Sequence, residues 1–154
     1  MVSLAAWPRR RVNGDGIDDV IVGAWDYGQG SVVGGAYVVF GSEQGFGATV
    51  DVSALDGSDG FSIANSDLTD GQFGTGSSVA GAGDVNGDGI DDLIVSDRDN
   101  DLGFGSAHVV FGSRDGFDAT LDISSSTART ASTSRMWCAS RPASARRHER
   151  RQHR

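Results

Sequence analysis

One string occurs twice in this chain with a single change, Val20 becoming Leu93. Val12-Asn13-Gly14-Asp15-Gly16-Ile17-Asp18-Asp19-Val20-Ile21-Val22 returns 73 positions later as Val85-Asn86-Gly87-Asp88-Gly89-Ile90-Asp91-Asp92-Leu93-Ile94-Val95. Three more segments recur at an offset of 71: Val38–Ser42 with Val109–Ser113, Gly45-Phe46 with Gly116-Phe117, and Ala48–Ser53 with Ala119–Ser124. A repeated unit buries its apolar side against its neighbours, so the chain is constrained to like parts packed on like parts. The two-residue slip falls in the glycine-rich stretch after the first strand, where length is tolerated.

Within a unit the apolar runs are short, rich in β-branched residues and bounded by Gly, Asp and Ser. Strands are expected at Asp19–Val22, Ala36–Phe40 and Thr49–Val52 in the first copy, and at Ser77–Ala82, Asp92–Val95, Ala107–Phe111 and Ala119–Ile123 in the second. No segment sustains a helical period. The expected class is all-β. A period near 70 leaves room for four strands and a loop in each unit. The organisation divides as 1–11, an irregular amino terminus; 12–72, a first, truncated repeat; 73–124, a second repeat; and 125–154, a disordered Arg-rich tail.

Charge is segregated along the chain. Residues 12–126 hold 20 acids against Arg98 and Arg114, a net of −18, while residues 127–154 carry +7. The acidic body suits cations and argues against nucleic acid as a partner. The single cysteine, Cys138, rules out an internal disulfide framework. No apolar run reaches the roughly 18–20 residues of a membrane span, and Met1–Ala6 is too short for a signal-peptide core.

The recurring loop has the chemistry of a hard-cation site. Calcium takes six to eight oxygens at about 2.3–2.6 Å. In the second copy those oxygens fall at alternate positions: Asp84, Asn86, Asp88, the carbonyl of Ile90, and Asp92. The acid closing the loop comes at its ninth position and a strand follows, unlike an EF-hand, whose bidentate Glu stands at the twelfth. An Asp/Asn/Gly turn holding no ion is the plainer alternative. The first copy keeps Asn13, Asp15, the carbonyl of Ile17, and Asp19. Arg11 replaces the leading acid there, which removes a carboxylate and adds a positive charge.

Phe73-Gly74, Val79–Gly89 and Asp91–Val95 together resemble an FG-GAP repeat, the unit of the integrin α β-propeller and of related bacterial extracellular arrays. The family's "GAP" element is approximated by Gly23-Ala24-Trp25, and in the second copy Ser96-Asp97-Arg98 departs from it. The resemblance spans about residues 12–124. It implies propeller blades, an incomplete ring of about two, with calcium held structurally by the residues named above and ligands bound elsewhere. It also implies a protein or glycan partner, an extracellular or cell-surface setting, and further repeats to complete the ring.

The tail abandons the repeat. Its Ser, Thr, Ala and Arg codons are compatible, one base out of register, with the Leu-Asp-Gly-Ser-Asp-Gly-Phe of residues 55–61, so 125–154 reads as an out-of-frame continuation of the repeat. A disordered basic tail is the plainer reading. A phosphate-binding arm built on Arg146-Arg147-His148-Glu149-Arg150-Arg151 ranks below it. No catalytic constellation is visible, and His108 is expected on a strand beside the core. The expected function is a calcium-binding extracellular interaction or adhesion module. Its alternatives are the non-catalytic propeller portion of a secreted, phospholipase-like hydrolase and a cytoplasmic structural protein.

Overall fold

The computed structural model describes residues 2–5, 11–25, 35–66, 74–98, 105–124 and 130–133. Phe73, the glycine-rich stretch 26–34, residues 125–129 and the tail 134–154 with Cys138, His148 and His153 lie outside them. So do residues 6–10 of the amino-terminal segment.

The described chain forms two sheets, antiparallel except for one parallel pair at the edge of the first. In the first, β1 (Val2–Ala5), β2 (Val20–Ala24), β3 (Gly35–Val39) and β4 (Gly60–Ala64) lie side by side in chain order. In the second, β5 (Ser78–Gly83), β6 (Asp92–Arg98) and β7 (Gly105–Val110) do the same, and β9 (Thr130–Thr133) completes the row. Between them in sequence, β8 (Thr120–Asp122) leaves its own unit and runs parallel to β4 at the edge of the first sheet, with Ser62 opposite Thr120 and Ile63 opposite Leu121. The described strands close into no barrel, and the described residues include no α-helix.

The two sheets use opposite faces for the same seam. Side chains alternate across a strand. In the first sheet Ile21, Ala36 and Val38 are buried. In the second, Leu93, Val95 and Val110 are. By the repeat offsets Ile21 corresponds to Ile94 and Val20 to Leu93, so the sheets are stacked front to back, as successive members of an array. One core joins them, built from these residues with Val12, Phe40, Phe61, Ile63, Val79 and Ile123. Phe117, just before β8, stacks on Phe61 with ring centroids 4.1 Å apart and planes 9° from parallel, and Phe40 lies 5.9 Å from Phe61.

Four differences from the sequence reading have physical causes. The amino-terminal segment, expected to be irregular, supplies β1, whose alternating Val2-Ser3-Leu4-Ala5 pairs antiparallel with β2. The tail, expected to be disordered, supplies β9 at the free edge of β7. Gly60–Ala64 was not anticipated as a strand, yet Phe61 and Ile63 alternate onto the core face. Thr49–Val52, expected to be a strand, is not one: Val52–Ala54 forms a 3-10 turn capped by Asp51, whose carboxylate accepts from Ser53 N. Its counterpart in the second copy is β8, which has the edge of β4 to pair with. Among the described residues, no strand edge pairs with Thr49–Val52 of the first copy.

Candidate functional site

Each recurring loop links the strand position before it to the hairpin after it, and its path is set by left-handed glycines. Gly87 and Gly89 have φ of 80° and 82°, Gly14 and Gly16 of 71° and 93°. These are conformations that residues with a Cβ rarely adopt. Between the glycines the side chains cap the backbone two residues ahead. Asn86 Oδ1 accepts from Asp88 N at 3.0 Å, and Asp88 Oδ1 from Ile90 N at 2.8 Å. The first copy repeats the ladder, Asn13 Oδ1 from Asp15 N at 3.0 Å and Asp15 Oδ1 from Ile17 N at 2.7 Å. In both, the Asn amide donates to the next Asp carboxylate.

The closing acids have a different role. Asp92 is fully buried, and each of its oxygens accepts a backbone N–H: Oδ2 from Val85 at 2.9 Å and Oδ1 from Gly112 at 2.9 Å. Asp19 does the same, from Val12 at 2.7 Å and from Gly41 at 2.9 Å. One carboxylate thus ties the start of the loop to the far end of the hairpin. The glycine is required there, because a Cβ on Gly41 would run into the Asp18 carbonyl and the Ile17 side chain, and one on Gly112 into those of Asp91 and Ile90. Burial pushes the Asp19 carboxyl up to about 6, against the two N–H groups that hold it down, with nearby Asp15 adding to the rise.

The leading position separates the two loops. Asp84 gathers the N–H groups of Gly87, Asp88 and Gly89 at 2.7, 3.0 and 2.9 Å. Arg11 cannot accept these bonds, and Gly14 N donates instead to its carbonyl at 3.2 Å. The sequence-expected residues occupy equivalent positions on the two loops. Asp84, Asn86 and Asp88 are exposed, as is Asp15; Asn13 is half-buried; Asp92 and Asp19 are buried beneath. Ile90 and Ile17 tuck their side chains under the hairpin glycines. The side-chain donors are all hard oxygens, which suits calcium or magnesium over zinc. Among the described residues no three acidic, cysteine or histidine side chains form a group that could hold a metal ion. Asp88 and Asp92 each keep an uncommitted lone pair on both oxygens, since a carboxylate offers about four acceptor sites.

A second polar cluster lies in the seam between the sheets. Asp97 Oδ2 accepts from Asn65 Nδ2 at 2.8 Å and meets His108 Nε2 at 3.0 Å, and all three residues are buried. Burial alone would raise the Asp97 carboxyl; the bonds from His108 and Asn65 outweigh it and hold the group below its usual range. Ser106 Oγ also faces His108 Nε2, at 3.1 Å. Acid and hydroxyl share one ring nitrogen, so this is not the acid–imidazole–hydroxyl relay of nucleophilic catalysis. Thr75 Oγ1, Asp97 Oδ1 and His108 Nδ1 are buried without a hydrogen-bond partner among the described residues. Asn65, just after β4, joins the first sheet to the second through this cluster. Sequence reading treated Asp97 as a departure from a motif and missed the cluster. The signal was its period: Leu93, Val95 and Asp97 occupy one face of β6. Comparison with protein-family models, with curated proteins and with solved structures found no match to this chain.

Proposed function

We propose that this chain is a two-blade portion of a calcium-binding β-propeller of the FG-GAP kind, serving outside the cell as an interaction or adhesion module. Each four-stranded row is then one blade, and the front-to-back stacking of the two rows supports that reading. The observation that carries it is the twin loop: exposed oxygen donors at alternate positions, closed from beneath by a buried carboxylate, in the same place in both units. Asp84, Asn86, Asp88, the Ile90 carbonyl and Asp92 would hold one ion, and Asn13, Asp15, the Ile17 carbonyl and Asp19 a weaker one. Calcium there supplies charge neutralisation and a fixed hairpin base. Protein or glycan ligands are met elsewhere on the ring.

Titration calorimetry of the full chain with calcium after EDTA treatment tests the proposal. The expected result is one binding event lost in Asp88→Ala, and a strengthened second event in Arg11→Asp. No heat at millimolar calcium, or heat unaffected by Asp88→Ala, overturns it.

A further inference from the structure

Four large apolar side chains are exposed among the described residues: Phe46, Val50, Val85 and Ile94, at 51, 44, 56 and 37%. Each has a counterpart in the other repeat, and each counterpart takes part in the seam. Val85 corresponds to Val12, which is 0% exposed, and Ile94 to Ile21, at 1%. Phe46 corresponds to Phe117 and Val50 to Leu121, both packed against the shared core. The exposed four thus match, position for position, the residues on the two sides of the internal seam. Val85 and Ile94 lie on the outer face of the second sheet's unit, and Phe46 and Val50 on the outer side of the first's.

We infer that copies of this chain associate head to tail, the Phe46–Val50 face of one docking on the Val85–Ile94 face of the next. This rests on neither calcium nor a closed ring, because the internal seam supplies the template. In that seam Val12 inserts beside the second hairpin, its carbonyl accepting from Ser113 N at 2.8 Å. Val85 of one copy has the same place beside Gly41 and Ser42 of the next. There a cleft of about 420 Å³ opens, with Phe40, Gly41, Ser42, Phe46 and Val50 in its walls. In the seam β8 also adds parallel to β4. The unpaired segment Thr49–Asp51 is the counterpart of β8, and the outer edge of β9 is the counterpart of the edge of β4. Strand addition of this kind contributes main-chain hydrogen bonds as well as side-chain packing. The surfaces differ, so the contact is heterologous and assemblies grow beyond dimers.

One element of the template is missing. In the seam Phe117 stacks on Phe61. Phe61 faces Val38 across β3 and β4, while Ala131 faces Val109 across β7 and β9. The register position that Phe61 holds in the first unit is thus held by an alanine in the second, and the association between copies is expected to be weaker than the one within the chain.

Sedimentation velocity of the full chain over a concentration series tests this. The expected result is reversible self-association past the dimer. Val85→Asp with Ile94→Asp blocks one face, Phe46→Asp with Val50→Asp the other, and each blocked chain is expected to stay monomeric with unchanged circular dichroism. Mixed in equal amounts, the two blocked chains should form a dimer that grows no further, since each keeps one intact face. Ala131→Phe in the otherwise unchanged protein should shift association to lower concentration. A wild-type chain that stays monomeric throughout overturns the inference, as does a mixture that forms no dimer. Association that survives both blocks and dissolves in salt belongs to the arginine-rich tail binding the acidic body, and overturns it equally.

Discussion

Asp92→Asn isolates the structural work of the loop's closing acid from any metal it holds. The substitution keeps shape and volume. One side-chain oxygen still accepts an N–H, but the other becomes an amide donor facing the second N–H, that of Val85 or Gly112. One hydrogen bond to a carboxylate is lost, and a donor is left opposed in a site where Asp92 is fully buried. A bond of that kind contributes about 1.5–3 kcal/mol, and an unsatisfied buried donor costs about 1–3 kcal/mol. Because the two overlap, the expected loss is about 2–4 kcal/mol, a large share of the roughly 5–15 kcal/mol that holds a domain together. Urea unfolding in EDTA, followed by circular dichroism, measures it without calcium. Asp88→Asn in the same buffer is the control. Its carboxylate is exposed, and its loss should stay within about 1 kcal/mol. If Asp92→Asn unfolds at the wild-type midpoint, the carboxylate is no structural tie, and the reasoning from its two N–H contacts fails.

Two further outcomes follow from the seam. Phe117→Ala removes a half-buried ring stacked at 4.1 Å on Phe61 and is expected to cost about 2 kcal/mol, below the 3–5 kcal/mol of a fully buried Phe. The same change at its counterpart, exposed Phe46, should fall within about 0.5 kcal/mol in dilute protein by the same urea assay. Asp122 ties β8 to the turn after β4, and the hydroxyl of Ser66 and the N–H of Ser124 are the main causes that hold its carboxyl down to about 2 from an ordinary 3.8. A lowered carboxyl contributes stability that is present above 3.8 and lost as pH falls towards 2. Because the group is largely exposed, screening by solvent keeps its share small. Acid unfolding of Asp122→Asn should show a shallower loss over that window than wild type, and an unchanged profile would refute the assignment.

The repeat made most of the hairpin framework legible. The loop string and the Val-Val-Phe-Gly-Ser string each mark one end of a hairpin, and both recur, so β2, β3, β6 and β7 were readable from their period. The same method failed where pairing depends on a neighbour. Ala48–Ser53 and Ala119–Ser124 have nearly the same sequence, yet Thr120–Asp122 is a strand and Thr49–Asp51 is not. No local pattern separates them; the difference is the edge of β4, which only the second copy reaches. The loop donors were named from spacing alone. That Asp92 and Asp19 are tied to Gly112 and Gly41 could not be read from the loop, because the partner lies 20 or 22 residues away. His108 was placed on a strand beside the core, but Asn65, which meets the same Asp97 carboxylate, comes from the other repeat, where sequence offers no cue to contact.

The unequal offsets before and after the hairpins show what the closing carboxylate secures. The two repeats differ by two residues between β2 and β3 on one side and β6 and β7 on the other, yet Val20 faces Val39 just as Leu93 faces Val110. The register is therefore set from the open end of each hairpin, not from its turn. A slip of one residue would carry Ile21 and Val38, or Leu93 and Val110, out of the seam and turn their neighbours in. The bond from Gly41 N to Asp19, or from Gly112 N to Asp92, is 2.9 Å in both units and lies at that open end. Asp19 and Asp92 pin the pairing there, which leaves the far turn free to vary in length. A carboxylate suits the task because it accepts from two chain segments at once, and the glycine opposite lets them approach. The loop that sequence marks as a cation site is thus also the element that selects which face of each sheet is buried, and with it the order in which the units stack.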